Sequence, residues 1–176
     1  MRYLTLTIIS DDHYGIVEKV AAVIASNQGS WLESNMSRLA GKFAGILLVA
    51  VPEKKQPDLL IELKALNSEG IRIIAEPTTE SEQNAGEHLL LSLVGNDRPG
   101  IIGELSSILA RLGANVEELC TNCEDAPMSA EILFKASAII SFSSSDTQLE
   151  ANRAVLQREL ESLSDDLMIE IEELSD

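Results

Sequence analysis

The sequence predicts two copies of one small α+β module, each ordered β-α-β-β-α-β and joined by a polar linker. Three observations carry this. An apolar run, an Asp-containing turn and a glycine occur together twice, with Gly15 and Gly100 standing 85 positions apart. Each block continues into apolar residues at helical three-four spacing. The remainder of each copy then repeats in kind, which marks a duplicated unit.

In the first copy, the run from Leu4 to Ser10 reads as a strand, followed by the turn Asp11-Asp-His-Tyr-Gly15. Ile16, Val17, Val20, Val23 and Ile24 then share a helical face. That helix is expected to stop at Gly29, because glycine accepts the positive φ found just past a helix end. An extended piece over 31–39, a turn at Gly41 and the apolar run 44–51 read as two strands. Pro57 opens a second helix, where its missing N–H costs nothing, and Leu59, Leu60, Leu63 and Leu66 form the apolar face. Gly70 closes it, and 71–75 reads as the last strand.

The second copy follows the same plan. Leu89 to Val94 is its first strand, and Ile101, Ile102, Leu105, Ile108, Leu109 and Leu112 are its helical face, ending at Gly113. Strands follow near 116–124 and 136–142, separated by a loop around 125–129. A second helix opens near Asp146 and carries Leu149, Leu156, Leu160 and Leu163. In the closing run 167–172, Leu167, Ile169 and Ile171 point one way while Glu170 and Glu172 point the other, as in a sheet with one wet face. Gly29 and Gly113 are 84 apart, which predicts one extra residue in or after the first helix and sets Trp31 where the second copy has Asn115. The plan is the ferredoxin-like one, two helices on one face of a four-stranded antiparallel sheet. The predicted organisation is a first domain over 1–76, a linker over 77–87 and a second domain over 88–176.

Composition bounds the function. The chain has 176 residues, 45% hydrophobic and only 3% aromatic, so its cores are aliphatic and suited to helix-on-sheet layers. With 13 basic against 29 acidic side chains the formal charge is −16. A field of that sign repels phosphate backbones and anionic lipid, so neither direct nucleic-acid binding nor a membrane surface is expected. The N-terminal segment alternates instead of forming a solid apolar run, and no stretch approaches a membrane span, so a soluble cytoplasmic protein is expected.

The strand-to-helix turns are the places where chemistry concentrates. A helix N-terminus presents unpaired N–H groups and the positive end of a dipole, so a carboxylate or phosphate can rest near Gly100, Ile101 and Ile102. The simpler role is structural: Asp97 caps the helix and Pro99 stiffens the turn. Gly95, Gly100 and Gly103 match neither a dinucleotide fingerprint nor a phosphate loop, whose Lys and Ser/Thr are here Ile101 and Ile102. Cys120 and Cys123 form a lone C-x-x-C in a predicted strand, expected to be small structural residues with one buried, since no second pair completes a zinc site. His13 reads as a solvated turn residue, and the carboxylates Glu159, Glu161, Asp165 and Asp166 as a wet face. No nucleophile, general acid/base pair or cofactor motif stands out, so an enzyme is not expected.

The run Asn96-Asp-Arg-Pro-Gly-Ile-Ile at a helix start, followed by Leu112-Gly-Ala-Asn-Val-Glu-Glu-Leu119, resembles the ACT domain. The tandem pair, with the Ala126-Pro-Met-Ser-Ala130 loop before Leu133 and Phe134, resembles the glycine cleavage system transcriptional repressor family. That resemblance implies a regulator without catalysis or cofactor, which represses glycine cleavage genes by acting on a separate DNA-binding activator protein and is relieved by glycine. It also implies an amino-acid site where two modules meet, built from Asp97, Arg98, Gly100, Ile101 and Asn115. Asp97 or Asn115 would accept from the ammonium group while the turn N–H groups take the carboxylate. Asp12, Gly15 and Ile16 match in the first copy, where His13 and Tyr14 replace Arg and Pro. A second reading is a module that binds only protein, and both readings admit a homo-oligomer, since the sheets leave an edge and one open face.

Overall fold

The computed structural model describes residues 1–79, 88–126, 131–142, 146–163 and 167–174, with the backbone alone for 146–151. It divides into two units, Met1–Glu82 and Gln83–Asp176. Module 1 runs β1 (Arg2–Asp11), α1 (Ile16–Ser26), β2 (Ser30–Leu39), β3 (Lys42–Val51), α2 (Gln56–Ala65) and β4 (Arg72–Thr78). Module 2 runs β5 (His88–Asn96), α3 (Ile101–Arg111), β6 (Ala114–Asp125), β7 (Ile132–Phe142), α4 (Asp146–Glu161) and β8 (Met168–Glu173). The sheets have the orders β2-β3-β1-β4 and β6-β7-β5-β8. Every pairing is antiparallel. The predicted α+β plan is therefore present twice.

Alternation decides which side of each sheet is buried. In module 1, Leu4, Leu6 and Ile8 of β1 and Leu47, Val49 and Val51 of β3 pack with Ile16, Val20 and Ile24 of α1 and Leu59 and Leu63 of α2. In module 2, Leu89 and Leu91 meet Ala138, Ile140, Leu105, Leu109, Leu156 and Leu160. Leu93 packs with Ile101 and Phe134 at the turn end of the same sheet. Each such aliphatic side chain contributes roughly 1.5–3 kcal/mol by leaving water. Two residues predicted on buried faces lie at their margins: Val17 is 46% exposed and Leu60 36%. The Leu149 side chain, Asp165 and Asp166, the linker residues 80–87 and the loop residues 127–130 lie outside the described part. β4 continues through Pro77 and Thr78, which were expected to open the linker. An edge strand tolerates a proline because one row of its N–H groups has no ladder to join.

The strand register corrects the sequence alignment of the two copies. Both first hairpin strands carry a bulge, between Trp31 and Glu33 in β2 and between Val116 and Glu118 in β6. Trp31 pairs with Val49 as Val116 pairs with Ile140, and Ser30 pairs with Ala50 as Asn115 pairs with Ser141. Ser30, not Trp31, is thus the counterpart of Asn115. No extra residue follows the first helix. Gln28 has φ 57 where module 2 has Gly113 at φ 72, so a non-glycine residue fills the left-handed position. The backbone bonds from Gln28 N–H to Ala25 O (3.0 Å) and Gly29 N–H to Ile24 O (2.9 Å) close the helix in the Schellman pattern.

Candidate functional site

The two turns share one backbone design. β1 ends beside β3, and the Asp12 N–H donates to Gly41 O at 2.9 Å. In module 2 the Asp97 N–H donates to Ile132 O at 2.8 Å. Gly15 (φ 87) and Gly100 (φ 99) then turn the chain into the helix in a conformation that favours glycine. Their carbonyls accept from Lys19 N–H and Glu104 N–H, each at 3.0 Å. Neither helix has a side-chain cap. The expectation that Asp97 caps α3 therefore fails, because the left-handed glycine occupies the cap position and the aspartate lies three residues before it.

Around this shared backbone the side chains differ. Asp97 lines an open depression of about 410 Å³ with Asn96, Glu131 and Ile132, so two acidic residues border the same space. Arg98 makes a two-pronged ion pair with Glu104 in the first turn of α3, at 2.8 Å and 2.6 Å. That hydrogen bond, outweighing the upward push of burial and aided by the charge of Arg98, holds the Glu104 carboxyl below its ordinary range. In module 1, Asp12 receives the Arg38 guanidinium at 3.2 Å, and Asp11 pairs with Lys42. The position facing Asp12 from the hairpin is Ala40-Gly41, which offers no carboxylate. Ile16 and Ile101 are both buried, anchoring the first turn of each helix. His13 is exposed and meets the Tyr14 carbonyl at 3.1 Å.

Asn115 does not join Asp97 within its own module. It sits at the start of β6, opposite Ser141 and in line with His88, whereas Asp97 follows the far end of β5. At about 3.3 Å per residue, the length of β5 separates them by roughly 26 Å. Asn115 instead donates to Glu117 Oε1 at 2.7 Å, and the buried Ser141 hydroxyl donates to the same oxygen at 2.6 Å. These two bonds, Ser141 first, hold the Glu117 carboxyl below its ordinary range. The sequence reading missed Glu117. Its position is set by the bulge, and the only signal was a polar Asn-x-Glu run at the start of a mixed, mostly exposed strand.

Cys120 and Cys123 are free and both exposed, so the expectation of one buried is wrong. β6 is an edge strand whose inward side lies beyond the reach of the helices along most of its length. Among the described residues no three His, Cys, Asp or Glu side chains are placed to hold a metal ion. No described helix is long and apolar enough to cross a membrane.

A family model for the ACT domain matches residues 2–72 and again 87–172. The chain belongs to the ACT domain family. Its two modules are tandem ACT domains, which places the protein with regulatory chains. A UPF0237 protein of Methanopyrus kandleri is 30% identical over 86 residues, covering 48% of this chain and 88% of the relative. A structure of an unknown protein from Galdieria sulphuraria is 24% identical over 99% of both chains, with a TM-score of 0.80. Another, named "putative glycine cleavage system transcriptional repressor", is 12% identical over 99% of this chain and 98% of that one, with a TM-score of 0.72. At these identities the two structures share the fold with this chain.

Proposed function

We propose that this tandem ACT protein is a non-catalytic, amino-acid-responsive regulator, and that module 2 carries the working ligand turn. The supporting observation is the pairing of Asp97 and Glu131 in one open depression beside the uncapped α3 N-terminus. Two carboxylates attract an ammonium group, and the first N–H groups of α3 take the carboxylate of the same molecule. Asp97 accepts from the ammonium. Gly100 allows close approach, and Ile101 fixes the helix start. Arg98 acts through Glu104, holding that carboxylate in a two-pronged ion pair beside the first turn of α3. Asn115 takes part only from a second chain, since its own module holds it at the other end of the sheet. In module 1, Arg38 already neutralises Asp12, so Asp12, Gly15 and Ile16 form the weaker turn.

The resemblance noted in the sequence supports glycine as the ligand and a DNA-binding activator as the partner, giving a repressor of glycine cleavage genes. The acidic chain suits a regulator that acts through protein and not on DNA. A second reading, a protein-binding module without a working amino-acid site, is favoured by Glu104 and Glu18. Each brings a carboxylate oxygen close to the turn glycine, 3.7 Å from where a Cβ would stand.

A thermal-shift and calorimetric panel of free amino acids separates these readings. Ligand at a hundredfold its dissociation constant stabilises the folded state by about 2.7 kcal/mol. The sensor reading expects a selective response to glycine or a close analogue. Asp97→Asn should weaken it at least tenfold, and Asp12→Asn less than twofold. A flat panel, or equal loss in both variants, overturns it.

A further inference from the structure

We propose that the open face of the module 2 sheet is a docking surface for a basic amphipathic helix of a partner protein. The register places cross-sheet rows side by side on this face, away from α3 and α4. One row reads Glu118, Ile139, Leu90, Glu172, from one edge strand across both central strands to the other. The next reads Cys120, Ser137, Ser92, Glu170. Val94 and Leu133 extend the apolar centre on either side of Lys135, a central-strand lysine opposite Val94 that reaches out to Glu124 on the β6 edge at 2.5 Å. Glu118, Glu124, Glu170 and Glu172 are exposed, and the central aliphatic side chains are half-buried.

The spacing says what fits. Neighbouring strands lie about 4.8 Å apart, so the carboxylates of the two edge strands stand roughly 14 Å apart across the sheet. A helix with its side chains is about 10–12 Å wide. A helix lying on Leu90, Val94, Leu133 and Ile139 would therefore bring lysines or arginines on its flanks up to both acidic edges. The charge also excludes a second copy of the same face. Two-fold pairing would set Glu118, Glu124, Glu170 and Glu172 of one chain against those of the other, with one lysine on each side already engaged. Module 1 provides the internal contrast. Its equivalent face carries Glu33 and Glu76 against Arg72, around Ile9, Ile46, Leu48 and Ile74, and is close to neutral.

This inference stands whether or not an amino acid binds at the turns. Cys120 lies on the face and Cys123 on the opposite side of the same strand, so an environment-sensitive dye on Cys120 of a Cys123→Ser protein reports occupancy. The probe is a synthetic amphipathic peptide of about five turns, with a leucine stripe flanked by lysine and arginine. The expected result is a saturable dye response that weakens with salt. Binding should fall at least tenfold in the triple variant Glu118→Gln, Glu170→Gln, Glu172→Gln, and change less than twofold when Glu33→Gln and Glu76→Gln neutralise module 1. A silent dye, equal binding of a peptide with glutamates on the flanks, or an unaffected triple variant would overturn it. A dye response to raised protein concentration alone would show that a second copy covers the face, and would also overturn it.

Discussion

Module 1 ends its first helix on Gln28 and neutralises its turn aspartate with Arg38. Module 2 ends the equivalent helix on Gly113 and sets Asp97 beside Glu131. The last inward-facing residue of β1 is Ser10, buried with no partner for its hydroxyl, where β5 has the buried Gly95. At the bulge, module 2 builds the Asn115–Glu117–Ser141 cluster where module 1 has Ser30, Leu32 and Ala50. The inward faces of the sheets and helices remain predominantly apolar in both. The backbone plan is thus carried by the buried alternation, and the sites at its ends vary independently. Polar chemistry at the turn, the helix end and the open face belongs to one copy at a time.

The comparison can be broken first at the cores. Leu6→Ala and Leu91→Ala each remove a fully buried side chain and should cost about 2–5 kcal/mol. Hydrogen exchange resolved by segment should show loss of protection in the module that carries the substitution. Equal loss in both modules would show that they do not hold their stability separately. The helix ends give a smaller effect of opposite sign. Gly113→Gln forces a side chain into the left-handed region and should cost roughly 1 kcal/mol, whereas Gln28→Gly should stabilise by less than that. Urea denaturation of both variants tests this, and a loss in each would mean that Gln28 makes a compensating contact. Ser10→Ala removes a buried hydroxyl without a partner and should be neutral or stabilising by up to about 1 kcal/mol.

The smallest effect is acid dependence at the bulge. Glu117 has a folded-state pKa below its unfolded value. Its contribution is therefore present above the ordinary glutamate range, near 4.3, and is lost as pH falls through the lowered folded value. Ser141→Ala should reduce that contribution and leave module 2 less sensitive to acid between those points. Thermal unfolding at neutral and acid pH measures it. An unchanged pH profile would mean that the cluster does not stabilise the fold.

Helices and strands were legible because the period of the apolar residues changes from two to about three and a half at each boundary. The turn glycines were legible too, since a glycine between a strand and a helix face announces positive φ. What the sequence hid depends on pairing partners far along the chain. A bulge shifts the register by one residue without any glycine to mark it, so Glu117 was missed, and Ser30 was passed over as the counterpart of Asn115 because Gly29 was aligned with Gly113. Gln28 gave no sign of a left-handed backbone, which made Gly29 look like the helix stop. The reach of Asp97 was readable as polarity at a helix start, but Glu131 comes to it from the β6–β7 hairpin, over thirty residues away.

That hairpin has a practical consequence. Two residues, Ala40 and Gly41, join β2 to β3, both with positive φ as a tight hairpin requires. Between β6 and β7 the chain takes six residues, 126–131, yet the pairs toward the far end, such as Asn115 with Ser141, match those of module 1. The hairpin tip therefore absorbs changes in length without passing them down the sheet. The Ala40-Gly41 hairpin of module 1 is a natural place to splice in a peptide tag or a reporter domain, leaving the module 2 turn as a fixed frame.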